Sequence, residues 1–302
     1  MIEHSGWINI YKPINISSFS VIKKIKKKFN LKKIGHAGTL DPLAEGVLPI
    51  AIGKTTKLIQ FINKEIKDYE FEIKWGEQTS TDDREGEIIA KSDYIPSKIE
   101  IKKALNLFVG DIKQAPPKAS AVKINGKRAY SLFRKNQEFQ TNEKIVKIYQ
   151  SKIIESQKKN ITGIKIKCGK GFYIRSFARD LGIFLKTKGH VFSLKRTNVG
   201  KFNEKNSILL DDLLKIRQTL FEFKGIQSSA SMLDDILAYE IEDKKVIKEL
   251  SNGKSVKIES IQFDDLPLNL STDKIIFLKN KKNILTYGKF SGNLFKPIKV
   301  LI

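Results

Sequence analysis

The sequence predicts an α+β protein of two domains, residues 1–232 and a smaller unit at 233–302. Three observations lead there. At 302 residues the chain is longer than one hydrophobic core comfortably fills, since single cores stop growing near ~250 to 300 residues. Through the first part, alternating runs are interleaved with capped, amphipathic helical runs. Beyond a composition change at GIQSSASM (225–232), the remainder reads as short strands with Gly and Asn turns, which suggests a small β-barrel.

Residues 7–11 (WINIY) alternate as a strand does, and Lys12-Pro13 closes it. Ser17 or Ser18 can cap a helix from about residue 19, with Ile22, Ile25 and Phe29 on its apolar face. Lys23, Lys24, Lys26, Lys27 and Lys28 crowd the rest, equally readable as a solvated face or as one that tracks phosphates. GHAGTLDPLAEGVLP (35–49) holds three Gly and two Pro, so an ordered loop leading into a strand at 47–52 is expected. Thr55 to Phe61 reads as helix. Tyr69 to Gly76 alternates with Tyr69, Phe71, Ile73 and Trp75 on one face, and 87–91 returns as a strand after an acidic turn. SKIEIKKALNLFV (97–109) is a helix capped by Ser97. Residues 110–150 are basic and irregular, with Pro116-Pro117 and an Asn125-Gly126 turn, and read as an insertion. ITGIKIKC (161–168) is a strand with one wet basic face, and Gly169 to Gly171 turns it into FYIRSFARDLGIFL (172–185), a strand passing into a helix. In the tail, LSNGKSVKI (250–258) and IIFLKNKKNILTYGKF (275–290) read as strands.

Composition narrows the partner. A net charge of +23, from 56 Lys and Arg against 33 Asp and Glu, favours a polyanion through phosphate neutralisation and counterion release. Nucleic acid leads, with a generally lysine-rich composition as the plain alternative. Apolar residues make up 40%, and no uncharged apolar run is long enough to span a membrane. The start lacks a basic region followed by an apolar one, and the single Cys168 cannot form an internal disulfide, so the cytoplasm is the expected compartment.

Chemistry concentrates in few places. Between Lys12 and Lys57 there are ten Lys and only two acids, Asp41 and Glu45. Pro42 holds Asp41 extended and Gly38 frees the backbone before it, so the carboxylate can be aimed into a cleft. A turn in which Asp41 bonds its own backbone fits the same spacing. Only seven residues are Arg, and Arg175, Arg179 and Arg196 fall within 22 positions. A planar five-donor guanidinium is hard to replace where a carboxylate or phosphate is gripped by two bonds, so that stretch is a candidate site. Asp82 and Asp83 sit in the acidic turn and read as solvated. His36 and His190 lack the spacing and Cys companions of a zinc site, and IGKTTK lacks the upstream glycine of a phosphate-binding loop.

GHAGTLDPLAEGVLPIAIGKTTKLIQF (35–61) resembles the signature of the TruB family of pseudouridine synthases. Four more segments resemble that family in order: Tyr11 to Ser18, Lys67 to Gly86, Gln114 to Tyr130, and Cys168 to Gly200. The resemblance implies the pseudouridine synthase fold, an α+β domain on a mixed, mainly antiparallel sheet. Residues from about 112 to 150 would be an RNA-gripping insertion, and the tail a PUA-like RNA-binding barrel. It implies that Asp41 attacks the target uridine, that Tyr69 stacks on the flipped base and that Arg175 pairs with Asp41. His36 would fill the gap left in the stack, Tyr173 and Leu194 would wall the pocket, and Lys12 of the opening motif would contact substrate. Ala119 departs from the family's usual aromatic before the Ser-Ala pair.

The implied reaction is conversion of the T-loop uridine at tRNA position 55 to pseudouridine, with the T-arm stem-loop as partner and no cofactor, metal or obligatory protein partner. A carboxylate, ionised and oriented by a guanidinium, suffices. Extraction of the base from its stack costs a few kcal/mol, which an aromatic platform partly offsets. Two alternatives stand beside this reading. A guide-dependent synthase of the dyskerin kind is disfavoured by the chain's length, and an RNA-folding chaperone would leave Asp41 incidental.

Overall fold

A ten-stranded mixed sheet dominates the computed structural model, which describes residues 5–62, 66–156, 158–217, 219–220, 223–232, 238–257, 259 and 274–301. The chain opens with β1 (Gly6–Lys12), α1 (Ser18–Lys28), β2 (Ile34–His36) and β3 (Ala44–Ile52). A 3-10 turn at 53–58 leads into α2 (Ile59–Ile62) and β4 (Lys67–Trp75), then the paired β5 (Glu77–Thr79) and β6 (Ile88–Lys91), and α3 (Lys98–Leu107). Next come β7 (Gly110–Gln114), the hairpin of β8 (Lys123–Ile124) and β9 (Lys127–Arg128), α4 (Ala129–Phe133), β10 (Lys144–Ile154) and β11 (Ile161–Cys168). There follow α5 (Ile174–Phe184), β12 (Gly189–Val199), β13 (Phe202–Asn203), β14 (Ile208–Leu209) and α6 (Leu210–Lys215). The tail contributes β15 (Ala238–Glu240), α7 (Lys244–Ser251), β16 (Val256–Lys257), β17 (Ile276–Asn280), β18 (Asn283–Ser291) and β19 (Leu294–Val300).

The large sheet runs β14-β1-β3-β12-β4-β11-β10-β7, with β2 added to β3 and β13 to β12. Only the β1–β14 and β3–β12 pairings are parallel, so the sheet is mixed and mainly antiparallel. Its central strands are the strongest patterns of the sequence. Lys67, Tyr69, Phe71, Ile73 and Trp75 all turn to the buried side of β4, as alternation requires. The face they form packs on α5 through Phe177, edge-on to Phe71. Ser97 caps α3 in a reciprocal box with Glu100, and Ser17 caps α1. The buried face of α1 includes Val21 with Ile25, while Ile22 and Phe29 are only partly covered.

Three expectations are corrected. The segment 35–49 is not one loop: residues 34–36 add a strand to β3, which itself begins at Ala44, leaving 37–43 as the loop. The irregular stretch expected over 110–150 is narrower, because β7 and β10 pair with each other at the end of the large sheet. Their lysine-rich, half-exposed pattern hides the alternation, as befits strands near a sheet edge. In the tail, LSNGKSVKI starts as the end of α7 and reaches β16 only after the Asn252-Gly253 turn; Ile258 lies outside the described residues.

The tail sheet runs β15-β17-β18-β19-β16, with β15 and β16 as its edges among the described residues. The boundary expected at 232/233 falls beside 233–237, which lie outside the described residues. The tail packs on the first unit: Phe61 of α2 meets Phe277 and Tyr287 edge-on at 4.9 and 5.1 Å, and Lys57 donates to the Val300 carbonyl. Trp7, Val47, Phe61, Phe202, Phe277, Tyr287 and Leu301 share one buried cluster. No helix among the described residues is long and apolar enough to cross a membrane.

Candidate active site

The loop 37–43 lies between β2 and β3, over the middle of the sheet, and is shaped by the residues beneath it. Gly38 sits at φ +87°, and a Cβ there would press on the Arg196 guanidinium at 3.2 Å. Arg196, fully buried on β12, donates from Nε to the Val47 carbonyl at 2.8 Å and from Nη2 to the Gly38 carbonyl at 2.9 Å. Gly46, at φ +106°, admits the Arg196 backbone so closely that any side chain would collide with its carbonyl. Ser18 at the start of α1 both accepts from the Leu40 amide and donates to the Leu40 carbonyl at 2.9 Å. The loop is therefore clamped from both sides, which fixes where Asp41 points.

Both Asp41 carboxylate oxygens face Arg175 rather than the backbone of their own turn. Arg175 Nη2 donates to Oδ1 at 3.0 Å and Nε lies 2.9 Å from Oδ2. Arg175 stands in the first turn of α5, whose entry is fixed by Gln114: its side chain accepts from the Tyr173 amide and donates to the Tyr173 carbonyl. The guanidinium also donates to the Thr81 and Ala119 carbonyls and lies 3.4 Å from Asp83. It is buried, whereas the Asp41 side chain keeps 32% of its surface open to a cleft of about 520 Å³. Burial pushes the Asp41 carboxyl above the ordinary carboxylate range, and the Arg175 charge pulls it back. The nearby Asp83 raises it further, while the Arg175 hydrogen bond and Lys12 favour the charged form.

Tyr69, Tyr173 and Leu194 line this cleft with Asp41 and Arg175. Register explains the convergence: Tyr69 on β4 faces Arg196 on β12, and Leu194 faces Ala44 and Phe71 on the two strands flanking it. Arg128 and Tyr130, from between β7 and β10, form part of the cleft wall. Ser120 also lines it, with a buried hydroxyl that has no hydrogen-bond partner among the described residues. Ala119 contributes a carbonyl to Arg175, a contact that does not depend on its side chain.

Two expected residues lie elsewhere. Lys12 is fully buried, and its ammonium donates to the carbonyls of Pro13, Ile16 and Pro42, so its donors are spent beneath the loop instead of reaching a substrate. Burial lowers its pKa to about 8, with Asp41 opposing the shift. His36 sits on β2 opposite Ile50, outside the residues lining the cleft, and its Nδ1 is buried without a partner among the described residues. Burial, then the Arg196 charge, lowers its pKa.

Asp82 and Asp83, expected to be solvated, are buried. Asp83 accepts from the Thr81 hydroxyl and the Glu85 amide and faces Arg175; Asp82 pairs with Arg179 at 3.0 Å. Burial raises the Asp82 carboxyl to about 6 against the pull of Arg179. The turn is buried because β12 and α5 close over it: Val191 donates to the Asp82 carbonyl and accepts from the Arg84 amide. The signal that could have revealed this is the match of two adjacent acids to two Arg one helical turn apart. The Arg cluster divides its work, with Arg175 on Asp41 and Asp83, Arg179 on Asp82 and the Ala115 carbonyl, and Arg196 under the loop.

Over residues 26–174 the chain matches the model described as TruB family pseudouridylate synthase (N terminal domain), and over 175–238 the model for the tRNA pseudouridylate synthase B C-terminal domain. Proteins named tRNA pseudouridine synthase B are similar along almost the whole chain. That of Ehrlichia ruminantium is 40% identical with 98% of each chain covered, and that of Caulobacter vibrioides is 35% identical over 98% of this chain and 96% of the relative. That of Rickettsia bellii is 39% identical with 98% of each covered. The crystal structure of a Cbf5-Nop10-Gar1 complex shares the fold with a TM-score of 0.75 at 24% identity, over 98% of this chain and 85% of that one.

Proposed function

The chain belongs to the TruB family of pseudouridylate synthases, and on that premise we propose that it converts the T-loop uridine at position 55 of tRNA to pseudouridine, with Asp41 as nucleophile. It has the pseudouridine synthase fold and is an isomerase. The observation that carries the reading is the two-bond hold of Arg175 on a carboxylate that still opens onto a cleft.

The reaction conserves every atom. The bond from N1 of uracil to the sugar breaks, the base turns, a bond from C5 to the same sugar carbon forms, C5 loses its proton and N1 gains one. Asp41 supplies the attacking electron pair and is regenerated at the end. Arg175 keeps that carboxylate charged and oriented at no reorganisation cost. Tyr69 offers a flat face to the base once it leaves its stack, and Tyr173 and Leu194 close the pocket around it. The residues between β7 and β10, through Arg128 and Tyr130, extend that wall towards the RNA.

The catalytic unit in this reading is residues 1–232, and 233–302 is a PUA-like RNA-binding unit that packs on it through the Phe61 cluster. The T-arm stem-loop is the partner, and the cytoplasm is where that partner is met. The fold likeness to proteins in Nop10 and Gar1 complexes supports the fold without extending those partners to this chain.

Asp41→Asn tests the assignment, since it removes a charge and little packing. Expected is loss of pseudouridine formation with tRNA binding retained. Product at a near wild-type rate would overturn it, and an unaltered chain that binds tRNA without making product would favour a folding chaperone.

A further inference from the structure

Away from the cleft, a groove of about 460 Å³ lies between α1 and β2, lined by Phe19, Ile22, Lys23, Lys26, Lys32 and Lys33 among others. We propose that it is a second contact surface for the substrate, gripping tRNA backbone that lies beyond the loop held in the cleft. This rests on the reading of tRNA as substrate and adds to it a path along the protein.

The starting point of that path is fixed by geometry. Ser18 ties the first residue of α1 to Leu40, the neighbour of Asp41. Eleven helical residues then carry the chain about 16 Å away from that point at ~1.5 Å per residue. Lys23 and Lys26 stand on the exposed side of this helix, and Lys32 and Lys33 follow on the connection to β2. Among the described residues none of the four makes an ion pair, and no acid lines the groove. Four unneutralised cations lining one groove repel one another, and a phosphate chain relieves that repulsion by releasing its counterions.

Phe19 distinguishes this surface from an ordinary solvated lysine face. The apolar side of α1 is buried through Val21 and Ile25, yet Phe19 leaves 73% of its surface in water among the lysines. An aromatic ring set among cations suits a ribose or base face beside phosphates. The positive surface continues. Lys33 and Lys54, with Lys299 on β19, are near enough to Lys57 to lower its pKa, after the larger effect of burial. Lys57 itself is tied to the Val300 carbonyl, so the cationic stripe runs from α1 onto the tail sheet.

The test uses the full chain with Lys23, Lys26, Lys32 and Lys33 all changed to Gln. Affinity for whole tRNA is measured across salt concentrations, with thermal unfolding as the check on folding. Each phosphate contact contributes roughly 0.7 to 0.9 to the slope of log affinity against log salt, so the slope should fall by about 3. An oligonucleotide of the target loop alone should keep its slope. Phe19→Ala should weaken tRNA binding while leaving the slope intact. An unchanged tRNA slope in a folded variant overturns the proposal, and so does an equal fall for the loop oligonucleotide. If Asp41→Asn still makes product, the functional reading fails, whereas the slope reports on the groove alone.

Discussion

Arg175 grips Asp41 by two bonds from different nitrogens, Nη2 to Oδ1 at 3.0 Å and Nε to Oδ2 at 2.9 Å, across 134 residues of sequence. An ammonium cannot reproduce this side-on geometry. Arg175→Lys should therefore lower kcat at least tenfold, equivalent to about 1.4 kcal/mol of transition-state stabilisation. Steady-state kinetics check it, and full activity in the Lys variant would reduce Arg175 to a structural tie between Thr81, Ala119 and Asp83.

The pH profile should carry the signature of the same pair. Attack requires the charged carboxylate, and burial places the Asp41 pKa above the ordinary range while Arg175 lowers it. Activity is thus lost as pH falls through that raised value. Arg175→Gln removes a lowering influence, so the acid limb of kcat/KM should move to higher pH. A limb that stays in place or moves down contradicts the assignment.

Tyr69→Leu should damage turnover more than tRNA affinity, because base stacking is worth roughly 1 to 3 kcal/mol and acts only on the flipped base. Binding of substrate tRNA and of tRNA lacking the target uridine, measured side by side, tests this. An equal loss for both would place Tyr69 in general RNA binding.

Arg179→Ala should destabilise the fold by about 3 to 5 kcal/mol near neutral pH, because it strands the buried Asp82 charge. The sign with pH follows from the folded Asp82 pKa of about 6, above its ordinary 3.8. Its contribution favours the folded state at low pH and is lost as pH rises from about 4 to about 6. Denaturant unfolding should accordingly find the Arg179→Ala deficit smaller at pH 5 than at pH 7, and a deficit that grows on acidification would contradict the pairing.

Phe61→Ala should cost about 3 to 5 kcal/mol, since the ring is shared between the first unit and the tail through Phe277 and Tyr287. Truncation after residue 232 uncovers the same surface, so the shortened chain should unfold at lower temperature and aggregate more readily than the full chain. A truncated chain as stable and soluble as the full one would show that this contact contributes little.

Much of the architecture was legible because its signals are local. The alternation from Tyr69 to Trp75 and from Ile161 to Cys168 specifies half-buried strands, and Ser97 with Glu100 specifies a helix start, without reference to any distant residue. Asp41 and Arg175 were legible for a different reason: each is rare in its surroundings, an acid among lysines and an Arg in a lysine-rich chain. Their pairing is implied by resemblance, and in the folded chain the two side chains are in contact.

What tertiary structure decided is where polar side chains end up. Asp82 and Asp83 look like a solvated turn because polarity and turn propensity are properties of a few neighbouring residues. Their burial depends on β12 and α5, which arrive about a hundred residues later and bring Arg175 and Arg179 with them. Lys12 shows the same limit. Its sequence neighbourhood marks a strand end, but only the return of Pro42 above it turns a lysine into a buried tie beneath the loop. Sequence by itself determined the strands, the helix starts and the rare residues worth watching. The tertiary structure alone decided which charges are buried, because desolvation depends on everything packed around a group and not on the residues beside it in the chain.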